Sequence, residues 1–496
     1  MSEVVSLLLS PAALALVATG SVLGILVGGI PGLTGAMLIA LALPMTYSMP
    51  GELALVLLVS MYVGSVSGGL VTATLLRMPG TPASMMTTLD GYPLAQRGEA
   101  GRALALGIGG SFVGGMVSWV FLLCLAVPMA RFSLSFGPFE FFALVLVAMV
   151  LIVTVGGNSL TLGLLSGAIG VVLAMPGSSP ATGKPRLTFG LHVLDDGLKL
   201  LPVLIGLFAV NQVIRQVLGG STPESSIERA EANRLRFHVT DLRDHGWNLF
   251  RSSLIGTWIG ILPGIGANVG SIVAYAAAKR ASKRPEVFGQ GSEEGIVAAE
   301  TANNATVGGA LIPLVAMGIP GSLIDAILLG ALVLHGLQPG PMLVQSDPLV
   351  VHTIIGTMFV ANLATLAVLL VGARWMSHAT RIPRHVLVPV VLVFCVIGSY
   401  ALANRMFDVW VMLAVGVGGY VLERRRIPLA PLVIGFVLAP IAEEHLTAGL
   451  MQSGGSFAPL VTQPIALSLV LTAVGMLAWT LRGRVRRTPV RSAKTD

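Results

Sequence analysis

GILVGGIPGLTGA at 24–36 returns as GTWIGILPGIGAN at 256–268, with Gly24, Gly28, Pro31 and Gly32 matched by Gly256, Gly260, Pro263 and Gly264. The offset is 256 − 24 = 232. A second block follows each copy: Gly68-Gly69 with Pro79-Gly80, and Gly308-Gly309 with Pro320-Gly321, at offsets of 240 and 241. Two collinear blocks at similar offsets point to an internal repeat. Each Pro-Gly interrupts an otherwise apolar segment, and this combination decides the fold class.

Of the 496 residues 54% are hydrophobic and 11% charged, whereas a soluble domain carries about 25% charged residues. Mean hydropathy is +0.86. Apolar runs of spanning length recur at Val4–Gly28, Ala103–Met129, Phe139–Val155, Leu349–Gly372, His385–Leu402 and Pro459–Leu481. The expected fold is an all-α polytopic membrane protein of roughly ten to twelve membrane elements, with Pro-Gly-broken helices or re-entrant hairpins. The net charge of +7 does not mark a nucleic-acid binder, because the basic residues flank apolar segments. MSEVVSLLLSPAALALVATG lacks a basic start and is expected as the first membrane helix, not a cleaved signal. Cys124 and Cys395 lie in apolar runs and are expected as small buried hydrophobes, with no disulfide framework or thiolate metal site.

Polar residues concentrate in GGSTPESSIERAEANRLRFHVTDLRDH, from Gly219 to His245. The expected organisation is membrane repeat one at 1–218, an extramembrane linker at 219–247, membrane repeat two at 248–481 and a basic tail at 482–496. Loop charges suggest the relation between repeats. After the first block, repeat one has TYSMPGE without Lys or Arg, while repeat two has Lys279, Arg280, Lys283 and Arg284. After the second block repeat one has Arg97 and Arg102, and repeat two has HGLQPGPM. Equivalent loops thus lie on opposite faces, the signature of an inverted-topology repeat with its substrate site near the midplane. Arg482, Arg484, Arg486, Arg487 and Arg491 put the C-terminus in the cytoplasm, and the N-terminus is expected outside.

Pro removes a helix hydrogen bond and Gly admits unusual dihedrals, so Pro31-Gly32, Pro79-Gly80, Pro263-Gly264 and Pro320-Gly321 are expected unwinding points. A helix restarting beyond one directs free N–H groups and a partial positive charge at the break, which suits an anion. Thr34, Thr81, Asn268 and Ser322 add oxygen donors there. Arg77, just before a break, either meets a substrate carboxylate or snorkels to the membrane face. Ser65, Ser67, Thr301, Asn303, Asn304 and Thr306 are either coupling-ion contacts or interhelical hydrogen bonds. Glu300 and Asp325 either carry a proton or cation or make a structural pair, and Asp90 in LDGYP has capping and turn chemistry. His335, His352 and His445 are separated singletons without metal spacing, so no metal is expected beyond a coupling Na+. There is no Walker A motif, so energy comes from a gradient or another subunit. A hydrolase would need a nucleophile beside a base, and no such pattern stands out; a non-transporting assembly subunit stays open.

GGIPGLTGAMLIALALPMTY, GGLVTATLLRMPGTPASMMTTLDGYPLAQRGEAGRAL, GILPGIGANVGSIVAYAAAKR and MGIPGSLIDAILLGALVLHGLQPGPML together resemble the large membrane subunit of the tripartite tricarboxylate transporters, the TctA type. The resemblance covers nearly the whole chain. It implies a bacterial inner-membrane system with a small four-helix membrane subunit of the TctB type and a periplasmic solute-binding protein of the TctC type. It also implies uptake of a carboxylate such as citrate, driven by sodium or protons without an enzymatic step or cofactor.

Single cysteines replacing Ser48 and Ser282 test the inverted repeat. An impermeant thiol reagent is expected to label them from opposite sides, and labelling of both from one side would contradict inversion.

Overall fold

The computed structural model describes residues 2–30, 33–155, 159–179, 183–218, 235, 239–263, 266–379, 384–401 and 404–485. Pro31, Gly32, Gly264, most of the polar stretch (219–234 and 236–238) and the tail from 486 lie outside them. Among the described residues seven helices are long and apolar enough to cross a membrane, and shorter apolar helices stand beside them. This is a helical, multi-pass membrane protein. The expected first membrane helix is in two parts, Ser2–Leu8 and Pro11–Gly29. Pro11 cannot continue the first part but is suited to open the second, where Ser10 accepts the Ala13 N–H at 3.2 Å.

The chain forms two compact units, Met1–Leu134 with Leu198–Leu422, and Ser135–Gly197 with Glu423–Asp496. Nine helices of the first unit bear on function: α1 (Pro11–Gly29), α2 (Gly35–Thr46), α3 (Gly51–Leu76), α4 (Met85–Leu94), α5 (Ala100–Ser133), α6 (Gly246–Ile261), α7 (Gly266–Ala281), α8 (Glu293–Met317) and α9 (Leu323–Leu334). Two of these are central. Every residue of α3 from Ala54 onward is buried, as is every residue of α8 from Gly295 to Ala316. A helix enclosed on all sides must satisfy each polar side chain against protein.

Small residues set how closely the helices approach. A methyl on Gly24 or Gly28 of α1 would overlap the carbonyl oxygens of Met61 or Ser65 on α3; one on Gly256 or Gly260 of α6 would overlap those of Ala302 or Thr306 on α8. In return Gly68 lies against the Ile25 carbonyl and Gly309 against that of Thr257. The second set of contacts is the first shifted by 232 on one helix and by 241 on the other (302 − 61 = 241). The contacts therefore align Gly68 with Gly309, one residue from the pairing of Gly68 with Gly308 read from the sequence. The cause is physical: one residue alters which glycine faces the neighbouring backbone.

Because Gly24 and Gly28 meet Met61 and Ser65 in ascending order, α1 and α3 run parallel, and α2 must return the chain. It does so to the end where Thr46 meets the His335 ring at 3.3 Å and Gly51 faces His335. Helices α6 and α7 form the matching hairpin from the other end. There Asn248 donates to the Glu294 carbonyl (2.9 Å) and Arg97 to that of Gln290 (2.6 Å). Arg102 holds Asp241 at 2.5 Å and Glu293 at 2.8 Å, tying the end of the polar stretch to α5 and α8. Arg97, Arg102 and the stretch 279–284 at the end of α7 lie at this second end.

The second unit contains the helices Pro138–Val155, Leu160–Ala174, Leu429–Gln452 and Pro464–Val485 and an antiparallel pair, Gly177–Ser178 with Pro185–Arg186. Arg186 grips both carboxylate oxygens of Glu443, at 2.5 Å each. Gly170 and Gly435 bring Leu160–Ala174 and Leu429–Gln452 into backbone contact.

Asp90 behaves structurally, as its motif suggests. Fully buried, it accepts the N–H groups of Gly289 (2.7 Å), Gly291 (2.9 Å) and Ser292 (2.8 Å) and the Tyr275 hydroxyl (2.7 Å). It thus clamps α4 to the loop that starts α8. Replacing Asp90 by Ala would orphan those donors and is expected to cost about 3–5 kcal/mol. An unchanged thermal unfolding midpoint in detergent would contradict the clamp.

Candidate functional site

Helices end before each of the four Pro-Gly dipeptides, of which Pro79-Gly80, Pro263 and Pro320-Gly321 are among the described residues. Beyond them the chain restarts as α2, as the short turn Pro82–Ser84 leading into α4, as α7 and as α9. Thr34 caps α2 by accepting the Met37 N–H (3.1 Å), and Ser322 caps α9 by accepting that of Asp325 (3.3 Å). Thr81 shares a hydrogen bond with Ser84 (3.0 Å). Helix starts leave N–H groups pointing at each break.

The breaks are brought together. Gly80 rests on the Gly28 carbonyl and against Gly69, and Gly321 lies 2.8 Å, by an added methyl, from the Gly260 carbonyl and beside Ala310. Each half therefore stacks its second break on the helix end before its first. Across the halves, a methyl on Gly35 would come within 3.1 Å of Ile324 and crowd Ser65, and α7 packs against the Pro82–Ser84 turn. Thr34, Pro79, Gly80, Thr81, Pro320, Gly321 and Ser322 thus belong to one region. Pro263 ends α6, Asn268 is exposed on α7, and Pro31, Gly32 and Gly264 lie outside the described residues.

Beside this region a polar belt crosses α8. Glu300, Thr301, Asn303, Asn304 and Thr306 are all buried. Glu300 accepts hydrogen bonds from Thr87, from Ser111 (3.4 Å) and from the Asn303 amide (3.5 Å). Asn303 also donates to the Val66 carbonyl (3.2 Å), and Ser67 donates to Asn304 (2.7 Å), so α3 and α8 are joined by side-chain bonds at mid-length. Ser65 donates to the Tyr62 carbonyl (2.9 Å) and Thr306 to that of Asn303 (2.6 Å). Much of the belt is therefore already interhelical or local bonding. Thr301 Oγ1, Asn303 Oδ1 and Asp325 Oδ1 are among the buried oxygens with no hydrogen-bond partner among the described residues. The Tyr62 hydroxyl stands between Ser322 (3.2 Å) and Asp325 (3.5 Å). Among the described residues no Lys, Arg or His pairs with Glu300 or Asp325.

Tyr62, Thr87 and Ser111 escape sequence reasoning. Tyr62 had a signal: at the 241 offset it stands where Asn303 stands in the second half, a polar group inside GELALVLLVSMYVGSVSGG. Thr87 and Ser111 are ordinary helix residues until Glu300 faces them. Of the histidines, His335 meets Thr46, His352 bonds the Pro348 carbonyl (2.6 Å) and His445 stacks on Phe141 (4.8 Å). Cys395 is buried as expected, but Cys124 is exposed on α5, where an apolar run faces outward.

Arg77 closes α3 in the left-handed conformation (φ 52°), the place that Gly318 takes at the end of α8 (φ 71°). Its side chain is exposed and its guanidinium lies 5.8 Å from the Tyr92 ring centroid. A side chain other than Gly pays about 1–2 kcal/mol in this conformation, and strain of this kind collects at working sites.

The family model described as "Tripartite tricarboxylate transporter TctA family" matches residues 14–434. A protein of Agrobacterium vitis described as "Uncharacterized 52.8 kDa protein in TAR-I ttuC' 3'region" is 36% identical over 459 residues, 92% of this chain and 90% of that protein. Another from the same organism, described as "Uncharacterized protein in TAR-II ttuC' 3'region", is 40% identical over 217 residues, 43% of this chain and 89% of that protein. No solved structure matches.

Replacing Arg77 by Gly is expected to keep the fold and to stabilise it by about 0.5–1 kcal/mol, since the left-handed residue loses its strain. A lower unfolding midpoint in detergent would mean that the guanidinium contributes more to the fold than the strain costs.

Proposed function

Because the chain belongs to the TctA family of the tripartite tricarboxylate transporters, we propose that it is the large membrane subunit of a binding-protein-dependent secondary transporter. Its cargo is a tricarboxylate such as citrate or a related small carboxylate, and its driving force is a sodium or proton gradient. The observation that carries this reading is the convergence of the breaks. Helix N-termini aimed at one region form an anion site without a dedicated cluster of cations. Thr34, Thr81 and Ser322 offer hydroxyls at those termini, and Arg77 offers a fork suited to a carboxylate. Pro31, Gly32, Pro263, Gly264 and Asn268 complete the anion site in this reading. The oxygens of Ser65, Ser67, Thr301, Asn303, Asn304, Thr306, Glu300 and Asp325 supply the coupling-ion region.

The two hairpins inserting from opposite ends support an inverted-topology repeat, with glycine surfaces that let one bundle slide against another. The Lys- and Arg-rich end is then cytoplasmic, the N-terminus periplasmic and the membrane the bacterial inner membrane. A small four-helix subunit and a periplasmic binding protein complete the system, the second delivering cargo at the face opposite the basic loops.

Proteoliposomes holding this chain with its small partner, binding protein outside, test the proposal with labelled citrate and related carboxylates under separate sodium and proton gradients. Accumulation is expected under one gradient and only with binding protein. Absence of uptake of every carboxylate under both gradients, from folded protein, would overturn the reading. Arg77→Gly is expected to raise the apparent KM roughly tenfold to a hundredfold, the loss of one charge-assisted pair. An unaltered KM would remove Arg77 from the anion site.

A further inference from the structure

We infer that two buried carboxylates of the first unit, Asp325 and Glu300, divide the work: Asp325 carries the coupling cation, whereas Glu300 stays fixed as a hydrogen-bonded brace. This rests on the transporter reading above and separates two residues that it treats together.

The difference lies in how each carboxylate is used. Both oxygens of Glu300 are engaged, one by Thr87 and the other by Ser111 and Asn303, so that donors from α4, α5 and α8 converge on it. Asp325 is as deeply buried, yet beyond the adjoining Ser322 it meets only a long bond from Tyr62 at 3.5 Å, and its Oδ1 has no hydrogen-bond partner among the described residues. Its place in the first turn of α9 accounts for an acidic residue there in general. It does not account for an oxygen left open in a fully enclosed position, which is costly unless something positive or a proton meets it.

Among the described residues no Lys, Arg or His pairs with Asp325. Helix α9 packs against α2, α3, α8 and the helix Leu200–Ile205. Neither α2 nor Leu200–Ile205 contains an ionisable residue; α3 has Glu52 and Tyr62, and α8 has Glu293, Glu294 and Glu300. Of these only Tyr62 bonds Asp325. The carboxylate, the Tyr62 hydroxyl and the Ser322 hydroxyl thus make an oxygen set with a net negative charge, suited to a proton or Na+. The set adjoins the Pro320-Gly321 break, and the neighbouring Ile324 approaches Gly35 beyond the first break. A cation bound there would offset the charge of an anion held at the breaks. In the first half the equivalent residues are Ser84 for Asp325 and Val59 for Glu300, so the repeat itself demands neither carboxylate.

The test uses the full chain with its partner subunit in proteoliposomes and two readouts: gradient-driven accumulation of labelled citrate, and citrate exchange with equal pH and Na+ on both sides. Asp325→Asn is expected to lose accumulation roughly tenfold or more while keeping exchange, because the gradient no longer couples to the cargo. Glu300→Gln is expected to lower the unfolding midpoint, a readout that a cation-carrying role alone would not move. Tyr62→Phe guards against a misfolded aspartate variant; it is expected to shift the half-saturating cation concentration. Titrating Na+ at fixed pH and pH at fixed Na+ tells the two cations apart. Wild-type accumulation by Asp325→Asn, an unshifted cation dependence in Tyr62→Phe, or uncoupling by Glu300→Gln would each overturn the assignment. Wild-type protein that neither accumulates nor exchanges citrate would instead overturn the transporter reading.

Discussion

A peptide group inside hydrocarbon must find its partner in protein or in an enclosed wet site, since leaving it bare costs several kcal/mol. Four interruptions of apolar helix in one chain are therefore tolerable only if they shelter one another. The glycine contacts show how they do so. Gly80 covers the carbonyl of Gly28, and Gly321 lies on that of Gly260, so a helix end and a break are stacked in each half. Helices α3 and α8 can be buried along almost their whole length because the hairpins α1–α2 and α6–α7 wrap them at backbone distance.

The same constraint ranks the polar residues. Ser67 with Asn304 and Thr87 with Glu300 bind helices together and would be needed in a protein that moved nothing. Asp90 belongs with them, since its carboxylate is spent on the loop before α8. What remains near the breaks and the belt includes the helix starts, the strained Arg77 and the open oxygens of Thr301, Asn303 and Asp325. A site that must release its cargo is expected to hold groups not yet committed to the fold.

Much of this was legible in the sequence because it rests on residue types with one physical use. Pro-Gly pairs in apolar runs announced the breaks, and the shared glycine spacing announced the matched helix contacts. The asymmetry of Arg97, Arg102 and Lys279–Arg284 anticipated the gathering of basic loops at one end. Other features depend on partners distant in the chain. Tyr62 matters only because Ser322 and Asp325 fold against it, 260 and 263 residues away. The alignment of Gly68 with Gly309 needs the packing surface, and an apolar run such as that around Cys124 reads alike whether it faces lipid or core. The division of the chain into units, with Ser135–Gly197 set beside Glu423–Asp496, leaves no local mark in composition.

The central claim is that breaks from both halves build one anion site. Single cysteines replacing Thr81 and Ser322, in a background lacking Cys124 and Cys395, report on it through their alkylation rates with and without citrate. Citrate is expected to slow both reactions with the same half-saturating concentration. Unchanged rates at both positions, or protection at one alone, would contradict a shared site.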